Sequence, residues 1–334
     1  MEKEILLSVK DIKKWFAVDE KIFGKPTSFV KAVDGVSFDI YKGEVLGLVG
    51  ESGCGKTTIG RSILGLTRPT SGSIVFEGKE LMGMKKKELR KLRSDLQIVF
   101  QDPYSSLSPR MRIGQTIAEP MEIQKKGDKK TRRKKVEELL EIVGLEKNFA
   151  DRYPHEFSGG QRQRIGIARV LAADPKFIIC DEPVSALDVS VRSQILNLLI
   201  KLKKDFGLTM LFVSHDLSVV EYICDRIIVM YLGKVMEIAK RDDLYKKPLH
   251  PYTKALLSAI PLPDPEVKRN RILLEGDTPS PVDPPEGCRF CTRCPSAREI
   301  CRKKAPMLEE VGDGHTVACH FWRDEDAELN TGGK

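Results

Sequence analysis

The chain has 334 residues, 41% hydrophobic and 31% charged, the balance of a soluble globular protein with enough apolar side chains for a sizeable core. No stretch approaches the roughly 20 apolar residues of a membrane-spanning helix, and Met1–Ile5 opens neither an apolar run nor a small-residue cleavage site, so no signal peptide is expected. The formal net charge of +8 gathers at Lys85–Arg93 and Lys125–Lys135, but no aromatic residues interleave to stack bases, so these runs read as solvated helix faces.

In chain order, residues 17–28 are rich in Lys, Pro and Gly and read as a surface loop. Phe29–Ile40 reads as a strand, turned by Tyr41-Lys42-Gly43 into a buried strand at Glu44–Val49. A glycine-rich segment and a helix over Thr57–Leu66 follow, the opening of a parallel α/β unit. Residues from about 103 to 166 are helical in pattern. Alternation returns with a strand at Phe177–Cys180, a helix at Val189–Lys204, a strand at Thr209–Val213 and a helix at Asp216–Cys224. Ile227–Tyr231 and Lys234–Ile238 form a hairpin around Leu232-Gly233. From Pro248 prolines recur, which marks a loop-rich extension with one short helix near Tyr252–Ala259.

Gly50-Glu-Ser-Gly-Cys-Gly-Lys-Thr57 fits G-x-x-x-x-G-K-[ST]. Glycines at 50, 53 and 55 let the backbone curl until successive N–H groups face a β-phosphate, and the start of the next helix adds its dipole. Lys56 brings a cation to the β- and γ-phosphates, and the Thr57 hydroxyl is a natural Mg²⁺ ligand. By chance the pattern arises in roughly 2% of chains of this size, so a merely structural turn is the poorer reading. Phe177-Ile-Ile-Cys-Asp181-Glu182 is an apolar strand ending in two carboxylates. Asp181 can hold Mg²⁺ through water, and Glu182 can orient or deprotonate an attacking water. In Phe157-Ser158-Gly159-Gly160-Gln161 the serine caps a helix and the glycines expose its N–H donors, a second anion site. One chain needs only one γ-phosphate site; a second chain arranged head to tail would use the other.

Together these segments resemble the ABC transporter ATPases over essentially the whole chain. The resemblance rests on Gly50–Thr57, Gln101 after the strand Leu96–Phe100, Ser158–Gln161, Asp181-Glu182, Ser185-Ala-Leu-Asp188, and His215 after the strand Thr209–Val213. It implies an α/β P-loop NTPase of the ABC ATPase fold: a mixed-sheet RecA-like core, an antiparallel β subdomain and a helical subdomain at about 103–166. The ATPase domain is expected at 1–245, with a loop-rich, cysteine-containing extension at 246–334. ATP and Mg²⁺ are the implied ligands. Phe16 would stack on adenine, with Trp15 the alternative. Gly50, Ser52, Gly53, Cys54, Gly55, Lys56, Thr57 and Thr58 would line the phosphates. Thr57, Gln101 and Asp181 would serve the metal. Glu182, His215, Lys56 and Gln101 would carry hydrolysis, and Ser158, Gly159, Gly160, Gln161 and Asp188 would act across a dimer.

Three stretches narrow the resemblance to peptide importers: Phe100–Arg110, Pro248–Pro261, and Gly287–Pro295 with Cys301 and His315–His320. Together with Cys54 in the phosphate loop they resemble the F-type ATPase of dipeptide and oligopeptide permeases. That implies a D-type paralogue as partner (a homodimer is the alternative), two transmembrane permease subunits, an extracytoplasmic peptide-binding protein acting indirectly, and a peripheral position on the cytoplasmic face of the membrane. No nucleic-acid partner is expected. The rivals are a soluble ABC ATPase of DNA repair or translation, an importer ATPase for nickel chelates or oligosaccharides, and an interaction module without turnover.

Five of the eight cysteines lie within Cys288–Cys319. In a chain without a secretory signal, such clustering suggests a metal staple for a proline-rich tail. Position 291 is usually histidine in the resembled family, so the expected ligands are Cys288, Cys294, Cys301 and Cys319. A [4Fe–4S] cluster is preferred, with Zn²⁺ the alternative. Cys180 and Cys224 are expected in the core.

Overall fold

The structure is a computed structural model that describes residues 4–18, 27–102, 106–261, 271–282 and 284–323. Most of the loop expected at 17–28, residues 103–105 of the Phe100–Arg110 stretch, and residues 262–270 of the proline-rich extension lie outside these. The chain divides into two compact units. One is built chiefly from Tyr41–Val45 and Gly83–Val213, the other from Ile5–Ile40, Leu46–Met82 and the chain from Ser214 onward.

In the first unit the strands Leu96–Val99, Phe177–Asp181 and Thr209–Ser214 run parallel, in register from Leu96 to Phe177 to Thr209. Every residue of the latter two strands is buried, which is why they read as continuous apolar runs and not as alternating ones. Helices follow at Ile113–Ile123, Lys129–Ile142, Gly159–Leu171 and Val189–Phe206. The lysine-rich helix Lys129–Ile142 buries only Val136, Leu139 and Leu140. Its basic side chains lie mostly exposed, with Arg133 paired to Glu137 and Asp151 at 2.8 Å. Cys180 is fully buried, as expected for a core residue.

The second unit holds two sheets. An antiparallel one has the order Phe29–Tyr41, Ile5–Ala17, Ser71–Phe76, Lys79–Glu80. The long strand Ile5–Ala17 escapes the sequence reading because its second half, Asp-Ile-Lys-Lys-Trp, has no clean alternation. In the other sheet Val45–Val49 pairs in parallel with Arg226–Tyr231. Gly47 in the first of these strands leaves room for Cys224, whose Sγ would stand 2.9 Å from a Cβ there. Arg226–Tyr231 and Lys234–Lys240 form the expected hairpin. Leu232 and Gly233 have φ of 42° and 75°, the left-handed pair of a tight hairpin turn. The extension then adds strands of its own: His315–Val317 pairs with Lys234–Lys240, and Glu309–Gly312 pairs with His315–Val317. Among the described residues no helix is long and apolar enough to cross a membrane.

The extension is also fastened by one buried carboxylate. Glu237 has no exposed surface. It accepts hydrogen bonds from the backbone N–H groups of Leu249 (2.8 Å) and His250 (3.0 Å), and its Oε1 lies 2.7 Å from His315 Nε2. His250 in turn caps the helix Pro251–Ser258, its Nδ1 accepting from the N–H of Tyr252 at 3.0 Å. Burial pushes the His250 imidazole down to about 4, although Glu237 opposes the shift and Lys254 adds to it.

This fixes a sign. Above pH 6.5 the imidazole is neutral folded and unfolded. As pH falls from about 6.5 to 4 the unfolded chain gains a proton that the native one refuses, so stability declines. His250→Asn keeps an oxygen to accept the Tyr252 N–H but removes the titration. The wild-type minus variant difference in urea unfolding free energy is therefore expected to shrink by roughly 3 kcal/mol across that range. A constant difference would show that His250 is not held neutral.

Candidate functional site

The phosphate loop belongs to the second unit. The apolar strand Val45–Val49 ends at Gly50, with φ 152°, and the loop closes through Gly55, with φ 105°, into the helix Lys56–Ile63. Both glycines are required by close backbone approach. A Cβ at Gly50 would stand 2.2 Å from the Met230 carbonyl oxygen, and one at Gly55 would stand 2.1 Å from that of Ala32. Ser52 and Gly53 are exposed at the loop tip, while Thr57 and Thr58 are half-buried. Lys56 is only 6% exposed. Its ammonium donates to the carbonyls of Gly50 (2.8 Å) and Glu51 (2.9 Å) and to Cys54 Sγ (3.7 Å). These bonds offset the cost of burying the charge. Burial raises the Cys54 thiol, against the opposing pull of Lys56.

Glu51 is gripped from the extension. Arg293 Nη1 donates to both of its carboxylate oxygens at 2.9 Å, Thr278 Oγ1 donates at 2.8 Å, and the Glu51 N–H donates to the Tyr252 hydroxyl at 3.1 Å. In the same unit, Trp15 is engaged by its neighbours. Its Nε1 donates to Asp34 at 3.2 Å, its ring tilts against Phe29, and Lys31 lies over it. Phe16 is 42% exposed, with the Lys14 ammonium 4.6 Å over its ring. Of the two aromatic candidates, Phe16 is thus the one on the surface. Burial would raise the Asp34 carboxyl, but Lys234 and Arg289 outweigh it and hold it below the ordinary value. His215, at the end of Thr209–Ser214, is exposed in this unit.

The carboxylates belong to the first unit. Asp181 ends the buried strand Phe177–Asp181. Glu182 follows with φ 48°, a left-handed conformation costing a non-glycine residue on the order of 1 kcal/mol. Its N–H donates to the Val213 carbonyl at 3.0 Å, which holds the turn. Gln101 Nε2 donates to Glu182 Oε2 at 3.0 Å and reaches Ser185 Oγ at 3.4 Å. Ser185 Oγ donates to the Glu182 carbonyl at 3.1 Å. The structure therefore gathers Gln101, Glu182 and Ser185 into one network.

Ser158 caps the helix Gly159–Leu171 with a reciprocal box. Gln161 N–H donates to Ser158 Oγ at 3.4 Å, and Ser158 N–H donates to Gln161 Oε1 at 3.0 Å. Ser158 is exposed, so this helix start faces solvent. Gly160 is needed by packing, since a Cβ there would lie 2.3 Å from Val191 Cγ1. Asp188 is exposed at the start of Val189–Phe206.

These residues suit Mg-ATP. The curled loop bears a buried cation and exposed tip residues. Thr57, Gln101 and Asp181 offer hydroxyl, amide and carboxylate oxygen, the donors that Mg²⁺ prefers.

The cysteine expectation is corrected. Cys288, Cys291, Cys294, Cys301 and Cys319 line one small cavity with Phe290 and Trp322. Among the described residues, however, no group of three or more His, Cys, Asp or Glu is arranged to hold a metal ion. Burial pushes the Cys288 thiol up to about 12 and that of Cys294 to about 11, and raises those of Cys291 and Cys319. The [4Fe–4S] cluster, its zinc alternative and the ligand set Cys288, Cys294, Cys301 and Cys319 therefore have no support. What secures the tail is aromatic packing and ion pairing. Phe290, fully buried, packs against Tyr231 and Tyr252 at 5.3 and 5.2 Å, and Arg289 Nη2 donates to Asp34 Oδ2 at 2.6 Å. Sequence reasoning missed Arg289, Arg293, Thr278 and Tyr252. The only local signal was two arginines set among the cysteines of Cys288–Cys294.

Residues 33–185 match the family model described as ABC transporter, and residues 236–301 match that of the oligopeptide/dipeptide transporter C-terminal region. The oligopeptide transport ATP-binding protein AppF of Bacillus subtilis is 52% identical over 96% of this chain and 98% of its own length. The oligopeptide transport ATP-binding protein OppF of Salmonella typhimurium is 51% identical over 95% of this chain and 96% of its own. Among solved structures, the dimeric ATP-binding cassette MJ0796 bound to ADP and Pi superposes with a TM-score of 0.63 at 32% identity, covering 70% of this chain and 98% of that one. CbiO1 of Clostridium perfringens, part of the ABC transporter complex cbiONQ, superposes with a TM-score of 0.64 at 30% identity, covering 73% and 92%.

The two kinds of loop glycine give a test. Gly55→Ala forces a Cβ against the backbone of Ala32, whereas Gly53→Ala meets nothing within 4 Å. Gly55→Ala is expected to weaken ATP binding by about tenfold or more and to cost about 2 kcal/mol of stability; Gly53→Ala should cost about 1 kcal/mol, for its φ alone. Equilibrium nucleotide binding and thermal unfolding would read both. Equal effects at the two positions would contradict the role given to the close approach.

Proposed function

The chain belongs to the ATP-binding subunits of ABC transporters, in the oligopeptide/dipeptide branch, and from that membership we propose that it drives uptake of short peptides by hydrolysing ATP. It is an ATPase of an ABC importer. Relatives named for oligopeptide transport match from end to end, including the C-terminal region at 236–301, and this favours a peptide importer over a soluble repair or translation ATPase.

In this reading the Gly50–Thr57 loop, through its N–H groups other than those of Glu51 and Cys54, and the Lys56 ammonium bind the β- and γ-phosphates, with Ser52, Cys54 and Thr58 beside them. Phe16 stacks on the adenine. Thr57, Gln101 and Asp181 hold Mg²⁺, which when bound neutralises charge on the phosphates. Glu182 orients the attacking water and takes its proton, and His215 contacts the γ-phosphate. Gln101 keeps the Glu182 carboxylate in place; their 3.0 Å hydrogen bond, at a residue held in a left-handed conformation, is the observation that best supports a catalytic Glu182. The exposed start of Gly159–Leu171 suits closure over the nucleotide of a second ATPase, with Asp188 acting across that dimer. A neighbour solved as a dimer with ADP and Pi fits such an arrangement.

The second ATPase is proposed to be a D-type paralogue. Two permease subunits hold the pair on the cytoplasmic face of the membrane, and an extracytoplasmic binding protein delivers the peptide. Nucleotide shifts the assembly between access states through tighter binding to the closed one.

Glu182→Gln preserves the size and a hydrogen-bonding oxygen but removes the base. The assembled transporter carrying it is expected to bind ATP normally and to hydrolyse it at least about 100-fold more slowly. Wild-type turnover in single-cycle phosphate release would exclude Glu182 as the catalytic carboxylate.

A further inference from the structure

Glu51 is the second residue of the phosphate loop, and each of its polar groups is engaged. Its carbonyl accepts from Lys56 Nζ at 2.9 Å, so the position of the phosphate-binding cation depends on this residue. Its N–H and its carboxylate are taken by Tyr252, Thr278 and Arg293, which lie 201, 227 and 242 residues further along the chain. All three belong to the extension that follows Pro248.

The grip is stiff. Arg293 Nη1 is also 3.4 Å from the Tyr231 hydroxyl and from Thr278 Oγ1. Tyr231, Tyr252 and Phe290 have no exposed surface and pack edge-on or tilted, with ring centroids 4.8 to 5.3 Å apart. Phe290 and Arg293 share the short segment Cys288–Cys294, so the aromatic cluster fixes the backbone that presents the guanidinium. Arg293 side-chain exposure is 11%, and that of Glu51 is 28%.

Stability alone does not explain the pair. Well-packed apolar residues serve as well as a shielded ion pair in a protein interior. Arg293 Nε is moreover buried without a hydrogen-bond partner, which costs free energy. What two charge-assisted bonds and a hydroxyl supply is geometry. A loop already held in one conformation gives up less freedom when phosphate binds, so its affinity rises.

We propose that Arg293, with Tyr252 and Thr278, is a positioning residue for the phosphate loop: acting through Glu51, the C-terminal extension sets the affinity of Gly50–Thr57 for ATP. The proposal rests on the reading that this loop binds ATP. It gives the extension a part in nucleotide binding beyond holding its own fold.

The test uses the full-length chain with its permease partners, in the variants Arg293→Ala, Arg293→Lys, Glu51→Gln and the Arg293→Ala/Glu51→Gln double. Equilibrium ATP binding, KM, kcat and thermal unfolding are measured in each. Arg293→Ala and Glu51→Gln should each raise Kd and KM about tenfold, with kcat at saturating ATP within about twofold. The double variant should be no worse than the poorer single one, because both remove the same contact. Arg293→Lys should recover part of the affinity. Wild-type Kd in Arg293→Ala, or additive losses in the double variant, would overturn the positioning role even if the melting temperature fell. Should Arg293→Ala fail to fold, Glu51→Gln decides: a tenfold rise in Kd supports the role, and an unchanged Kd overturns it. A wild-type chain that bound no ATP would instead sink the functional reading beneath it.

Discussion

Two backbone contacts govern the molecule: the approach of Gly50 to the Met230 carbonyl and of Gly55 to the Ala32 carbonyl, each too close for any side chain. They press the loop between the strand before it and its neighbours in the same unit. Lys56 can then be buried, because the carbonyls of Gly50 and Glu51 lie within reach of its ammonium. A charge so deeply placed is tolerable only when hydrogen-bonded. The curl of the loop and the burial of the lysine are one constraint.

Within its own unit the loop is supported from a distance in sequence. The extension grips the loop at Glu51 and is itself fastened at Glu237, whose carboxylate serves Leu249, His250 and His315. In the other unit, the strained backbone of Glu182 and the amide of Gln101 hold the carboxylate in a fixed pose. The phosphate loop and the Glu182 carboxylate thus belong to separately built units.

Much of this was legible in the residues. Buried parallel strands announce themselves as apolar runs, and the loop, Asp181-Glu182 and Ser158–Gln161 carry residue types that few other chemistries need. The strand Ile5–Ala17 was not legible, because charged residues break its alternation. Neither were the Arg293–Glu51 and Arg289–Asp34 pairs, since nothing local links residues 242 or 255 positions apart. The cysteines misled for a physical reason: spacing counts thiols but is blind to surroundings. The cavity they line is walled by aromatic residues, no group of three or more ligand-type side chains among the described residues is arranged to hold a metal, and the arginines among them pair with Asp34 and Glu51.

Hydrogen–deuterium exchange on the full-length chain, with and without Mg²⁺ and a slowly hydrolysed ATP analogue, tests the central claim most directly. Exchange is expected to slow at the amides of Gly50–Thr57 and the first turn of the helix Lys56–Ile63. Protection that appeared elsewhere, with the loop amides exchanging at an unchanged rate, would contradict it.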